Sequence, residues 1–265
     1  MFTQIKKRPP VRVCHQGCDR NLPEDCYAVN IGTLNVRTLY DLDFKLRKIL
    51  DEMKRLNISI LGLSETHWSN ETPEAFEMND YVIVQSSRHD DIHRQGVATV
   101  LHKEIAKHME GFKTISERLI LIQLETIDEP LFILQGYAPD STYSEEEIDE
   151  FYHLVQEQLD QLPKKRKLIL LGDFNAKVGN DAHINWAGVA GRYGIGQRNR
   201  SGDKLLQFSG LNVLSIMNTM YKQPKQRLVT WISPDGKTQN QIDYILIPSS
   251  QKYLVKAVGS TILQT

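Results

Sequence analysis

The sequence predicts a single α/β domain, and three observations carry that prediction. Short apolar runs of strand length outnumber the helical patterns, and only some of them are joined by a helix. Such an order fits mixed sheets with helices packed outside in layers. In addition, Asn35, Glu65, Tyr137, Asp173 and Asn175 each close one of the apolar runs. Polar groups gathered at strand ends are where an α/β fold builds its site. The 265 residues are 40% hydrophobic and 25% charged with no low-complexity tract, a globular composition with ample material for a core.

The elements follow in order. Residues 1–26 are rich in Pro, Cys and charge and lack periodicity; they read as a flexible tail, with the domain over 27–265. Cys14, His15, Cys18 and Cys26 could supply four zinc ligands, but no known finger spacing is matched, and free thiols in a tail are the simpler reading. All three cysteines lie in this tail and a disulfide-stapled secreted fold would not leave the whole body unstapled, so an intracellular, reducing compartment is expected. The basic N-terminus has no apolar segment behind it, and no run is long enough to span a bilayer.

A strand is predicted over 27–36. A helix follows over 41–56, where Leu42, Leu46, Ile49, Leu50 and Met53 recur at helical spacing. Strands are predicted over 58–63, 81–85, 96–102, 119–126 and 131–137. The next helix, 144–162, opens on Ser144 with Glu147 three residues later, as in a capping box, and stops at Pro163. Residues 167–171 form a buried-strand run. A Gly- and Arg-rich loop occupies 188–202, then come a short helix over 203–208 and strands over 211–216, 229–232, 241–247 and 253–258.

Several of these run ends carry residues suited to phosphodiester hydrolysis. That reaction needs charge neutralisation on the phosphoryl oxygens, a deprotonated water and a stabilised leaving oxygen. Magnesium needs few carboxylates, since it keeps waters and takes substrate oxygens. Glu65, after the run Leu61-Gly62-Leu63-Ser64, could be such a single ligand or a solvated loop acid. Asn35, taken alone, reads as a turn or bulge residue. In Gly172-Asp173-Phe174-Asn175 the Asp and Asn share a face if the strand continues, one able to take a proton and the other to donate to a phosphate; the alternative is a tight turn with Asx hydrogen bonds. Asp243 sits in an apolar strand, where a carboxylate needs a partner, naturally a histidine. The eight histidines are His15, His67, His89, His93, His102, His108, His153 and His183, and none follows position 183.

The stretches TLNVRTL at 33–39, LGLSETHW at 61–68, QGVA at 95–98, QGYAPD at 135–140, LLGDFNAKVG at 170–179, GQRNRSGDKLLQF at 196–208, VTW at 229–231 and NQIDYIL at 240–246 resemble, in this order, the endonuclease/exonuclease/phosphatase superfamily. The likeness covers roughly 28–258 and is closest to the apurinic-like endonuclease domain of RTE-type non-LTR retrotransposons and host proteins derived from them. It implies a four-layer α/β/β/α sandwich of two packed mixed sheets, DNase I-like. It also implies magnesium, replaceable by manganese, held at Glu65 with Asn35 beside it. Tyr137 would donate to a phosphate oxygen or the leaving group. Asp173 would position or deprotonate the water, Asn175 would orient the phosphate, and Asp243 would pair with a terminal histidine.

Two departures stand out. Asp140 occupies a position where apurinic enzymes tend to carry Asn, and the family's Ser-Asp-His segment is replaced by Lys256-Ala257-Val258-Gly259-Ser260-Thr261. Either the sequence is truncated or the protein lacks that group. The expected function is magnesium-dependent cleavage of DNA, impaired without that histidine. The alternatives are a host-adopted remnant that binds nucleic acid or protein without cutting, and a phosphatase of the same superfamily. A net charge of −1 excludes binding to DNA by bulk electrostatics, so a local rim is needed. Arg192, Arg198 and Arg200 could supply it by gripping phosphates, or could line a solvated surface turn. The expected partner is DNA, with no membrane and no obligate protein partner inferable, the state monomeric and the compartment intracellular, the nucleus ahead of the cytoplasm.

Overall fold

The computed structural model describes residues 12–13, 26–27, 29–39, 42–68, 72–86, 95–233 and 235–261. Cys14, His15 and Cys18 lie outside them. The chain divides into two compact units: one takes in residues 1–137, 163–168 and 263–265, the other 138–162 and 169–262.

In the first unit, β1 (Arg12–Val13) pairs in parallel with β2 (Cys26–Tyr27). The strand expected over 27–36 is realised as β3 (Asn30–Asn35). Helix α1 (Leu42–Arg55) buries Leu46, Ile49, Leu50 and Met53, the predicted face, with Leu61 and Leu63 of β4 (Ile58–Ser64) in the same core cluster. Next come β5 (Ala75–Met78), β6 (Tyr81–Ser86), β7 (Val97–His102) and the single turn α2 (Lys103–Ala106). The first sheet has the order β3-β4-β7-β6-β5, parallel between β3 and β4 and antiparallel elsewhere.

Three further strands, β8 (Met109–Ser116), β9 (Leu119–Leu124) and β10 (Leu131–Tyr137), form an antiparallel run that packs on this sheet, β10 against β4 and β7 and β9 against β7. Strand β10 is buried along its whole length, which is why it reads as a continuous apolar run. Strand β8 escaped the sequence reading because its register shifts at Met109/Gly111 and at Thr114/Ser116, and bulges break the two-residue period.

The second unit opens with α3 (Glu145–Gln161), whose N-cap Ser144 and Glu147 form the expected capping box. It contains most of β11 (Lys167–Asp173), then the single turn α4 (Ala182–Asn185), α5 (Arg200–Leu211) and β12 (Leu214–Ile216). A small hairpin of β13 (Trp231–Ile232) and β14 (Gln239–Asn240) leads into β15 (Asp243–Pro248). Strand β15 lies antiparallel to both β11 and β12. The architecture is thus α/β, with two packed sheets and helices, as expected.

Two expectations are corrected. Helix α5 starts at Arg200 rather than 203, because the Asn199 side chain caps it by accepting from the Gly202 amide at 2.8 Å. A Cβ at Gly202 would lie 1.9 Å from the Lys177 carbonyl, so only glycine allows this helix start to seat. The strand expected over 253–258 does not form: a 3-10 helix, Ser249–Leu254, follows Pro248 instead. Among the described residues no helix is long and apolar enough to cross a membrane.

Candidate active site

The sequence-predicted residues fall into two clusters, one in each unit. In the first unit, β3 and β4 run parallel and in register, with Asn35 beside Ser64, so Asn35 and Glu65 emerge at the same sheet end. Beyond the strands the two chains stay laced: Val36 N–H donates to Ser64 O, Thr38 N–H to Glu65 O and Leu39 N–H to Thr66 O, all at 2.8–2.9 Å. The loop after β4 is tied to a third segment, Thr66 N–H donating to Gly96 O and His67 N–H to Gln95 O. Gly96, at φ +114°, fits here because a Cβ would come within 2.4 Å of Thr66 Oγ1.

Backbone strain concentrates around this cluster. Arg37, Thr38, Glu65 and His67 all have positive φ, at 48°, 84°, 58° and 55°. For side-chain-bearing residues, a β-branched Thr above all, this is a costly region held only by surrounding contacts. It turns the Glu65 carboxylate to where Oε1 accepts from Asn35 Nδ2 at 2.6 Å and from the Tyr137 hydroxyl at 2.9 Å. The amide oxygen of Asn35 accepts from the Arg37 N–H at 3.0 Å. Asn35 therefore orients Glu65 through its nitrogen, and both of these bonds fall on Oε1. One half-buried carboxylate with a neighbouring amide suits magnesium, which keeps most of its waters, and does not suit zinc. No group of three or more His, Cys, Asp or Glu that could hold a metal occurs among the described residues.

Sequence reasoning missed two cations that support this cluster. Lys45, on α1, donates from Nζ to the carbonyls of Val36 and Thr38, tying down the strained turn. Burial, and then the charge of Arg37, lowers its pKa. Arg118, between β8 and β9, is buried against Tyr137. Neither is marked by a local motif: Lys45 reaches back seven and nine residues across a turn, and Arg118 meets Tyr137 nineteen residues on.

In the second unit, Asp173 is the last residue of β11 and only 1% exposed. The strand stops there, so Asn175 does not share a face with it as a continued strand would require. Asn175 takes φ 49°, its N–H donates to Asp173 Oδ1 at 2.9 Å, and its Nδ2 donates to Ala138 O at 2.9 Å. The Asx-turn alternative is the one realised. Ala138 N–H in turn donates to Asp173 O, so the segment after Tyr137 is locked to the end of β11.

Asp243 lies directly opposite Asp173 in the β11–β15 ladder. Because Phe174 N–H donates to Ile242 O, this is the narrow, non-hydrogen-bonded kind of pair, in which facing side chains are closest. Two buried carboxyls thus face one another across the strands, an arrangement that costs ladder stability when both are charged. Thr230 Oγ1 accepts from the Asp243 N–H, and Asn218 Nδ2 donates to Asp243 O, fixing this strand end. Behind it, the buried Tyr244 hydroxyl donates to Gln241 O and accepts from Val178 N–H. Burial first, and then the Asp243 and Asp173 charges, push its pKa up, so it stays a neutral phenol.

Of the three expected phosphate-gripping arginines, two are engaged within the second unit. Arg198 binds Asp181 at 3.1 Å and Asp203 at 3.0 Å, and Arg200 pairs with Glu145. Arg192 is exposed, in the loop that precedes them.

Comparison with known proteins agrees with this fold. Residues 32–261 match the model of the Endonuclease/Exonuclease/phosphatase family. Craniofacial development protein 2 of Bos taurus is 37% identical over 216 residues, covering 82% of this chain and 35% of that protein. The chain thus spans about a third of the length of the curated relatives it matches. Among solved structures, the 3′ phosphatase NExo from Neisseria, bound to product DNA hairpin, superposes with a TM-score of 0.61 at 18% identity, over 84% of this chain and 88% of that one. The endonuclease domain of TRAS1, a telomere-specific non-LTR retrotransposon, gives 0.53 at 15% identity, over 81% and 82%. At these identities the structural likeness speaks for the fold.

Proposed function

The chain belongs to the endonuclease/exonuclease/phosphatase family, and from that membership we propose that it is a magnesium-dependent phosphodiesterase that nicks DNA, of the retrotransposon-endonuclease kind. The observation that carries the reading is the Glu65 carboxylate, held on one oxygen by both Asn35 and Tyr137. A carboxylate fixed by two donors is pre-organised to present its other oxygen to a hard cation. Magnesium or manganese at Glu65 would neutralise charge on the phosphoryl oxygens. Asp173 takes the proton from the attacking water, and Asn175, anchored to Ala138 O, offers its second amide N–H to the phosphate. The Tyr137 hydroxyl donates toward the phosphate or the leaving oxygen. Arg192 contributes a phosphate contact, and a DNA substrate implies work in the nucleus.

The test is nicking of supercoiled plasmid with magnesium. Wild type should relax the plasmid, EDTA should stop it, and Asp173→Asn should abolish cleavage while DNA binding persists. An Asp173→Asn rate equal to wild type removes Asp173 from the mechanism. The second reading is binding without turnover. Tight magnesium-independent DNA binding with no cleavage would select it.

A further inference from the structure

We propose that Arg118 is a positioning residue for the Glu65 cluster, acting through Tyr137. The inference rests on the reading of Glu65 as the residue that holds the cation.

Tyr137 is the last residue of β10, so its ring needs support from a neighbouring element to hold the hydroxyl in place. That support is Arg118, only 8% exposed, at the turn between β8 and β9. Its Nη1 donates to Tyr137 O at 3.2 Å, and Tyr137 N–H donates back to Arg118 O at 2.9 Å. The guanidinium carbon lies 5.0 Å from the centroid of the Tyr137 ring, within cation–π range. The backbone and the ring face of the tyrosine are thus both held by one residue. The turn is itself anchored, since Arg118 N–H donates to Ser116 Oγ and Ser86 Oγ donates to Ser116 O. The same turn reaches the Glu65 loop a second way, through Gly96 N–H to Glu117 O and Thr66 N–H to Gly96 O.

Burying an arginine is expensive, and an aliphatic side chain would fill the space at lower cost. What arginine adds is a planar fork that bonds a carbonyl while stacking on an aromatic face, which lysine cannot reproduce. With Arg118 in place, the Tyr137 hydroxyl is aimed at Glu65 Oε1 and leaves Oε2 to the cation. Residues that orient a metal-holding side chain typically change metal affinity by about 10- to 100-fold when replaced.

A double-mutant cycle read by cation affinity, not by cleavage, tests this. Wild type, Arg118→Lys, Tyr137→Phe and the double variant are titrated calorimetrically with magnesium in the absence of DNA, and with manganese by electron paramagnetic resonance. Each single variant should lose about tenfold in affinity, and the double variant no more than the larger single loss, because both break the same linkage. Arg118→Lys binding like wild type, or a double loss equal to the product of the two single losses, overturns the proposal. Circular dichroism melting controls for folding. Arg118→Gln replaces Arg118→Lys in the cycle if the lysine variant does not fold. If neither folds, Arg118 serves the fold alone and the proposal falls. A wild-type chain that binds no divalent ion removes the reading of Glu65 and this inference with it; one that binds while Arg118→Lys equals it removes this inference alone.

Discussion

At the residue scale the Glu65 cluster retains backbone strain at the position proposed to hold the cation. Glu65 at φ 58° and Thr38 at φ 84° occupy backbone regions their side chains disfavour, and a lysine ammonium and a set of interstrand N–H bonds hold them there. The cost of such residues is of order 1–3 kcal/mol each and is met by the surroundings. Replacing Glu65 by Gln keeps the shape and removes the charge. The variant should stay folded within about 1 kcal/mol, since the residue is half-buried at the site's surface. Its magnesium affinity, measured by calorimetry, should fall sharply, and an affinity equal to wild type means the cation is held elsewhere. Residue identity alone left Glu65 open between ligand and loop acid. The contacts with Asn35 and Tyr137, 30 and 72 residues away, show that its carboxylate is held rather than freely solvated.

At the element scale, local signals decided some boundaries and tertiary contacts decided others. The start of α3 was legible because the capping box is a contact within four residues: Glu147 N–H donates to Ser144 Oγ at 3.2 Å and Ser144 N–H to Glu147 Oε2 at 2.9 Å. Ser144→Ala should therefore cost about 1 kcal/mol. A chain of this size should show that as a melting shift of roughly 2–4 °C. An unchanged melting temperature would mean that packing of Phe151, Val155 and Leu159 carries the helix without its cap. The start of α5 was read three residues late, since Gly202 looks like a helix breaker until the Lys177 carbonyl is seen against it. Likewise, the facing of Asp173 and Asp243 follows only from the β11–β15 register, which joins residues 70 positions apart.

At the scale of the whole molecule, the proposed reaction would assign cation holding to Glu65 and water activation to Asp173. By resemblance Asp243 would pair with the family's terminal histidine, and residues 184–265 contain no histidine. Appending a Ser-Asp-His segment to these residues should raise the nicking rate by about 100-fold or more, the usual worth of one pre-organised donor in a transition state. If the 265-residue chain already cleaves at an ordinary enzyme rate and the extension adds nothing, another residue does that work and the role given to Asp243 is wrong. The sequence by itself determined the fold class, the amphipathic face of α1, the capped helix α3 and the strand ends that carry Asn35, Glu65, Tyr137 and Asp173. Those features depend on periodicity and on contacts between near neighbours, which a linear pattern records. The tertiary structure alone decided that Asn35 bonds Glu65 through its nitrogen, that Asn175 turns back on Asp173, that Arg198 and Arg200 are already paired, and that Arg118 lies under Tyr137. Each of these depends on which side chains meet after the strands have paired, and neither composition nor spacing encodes that meeting.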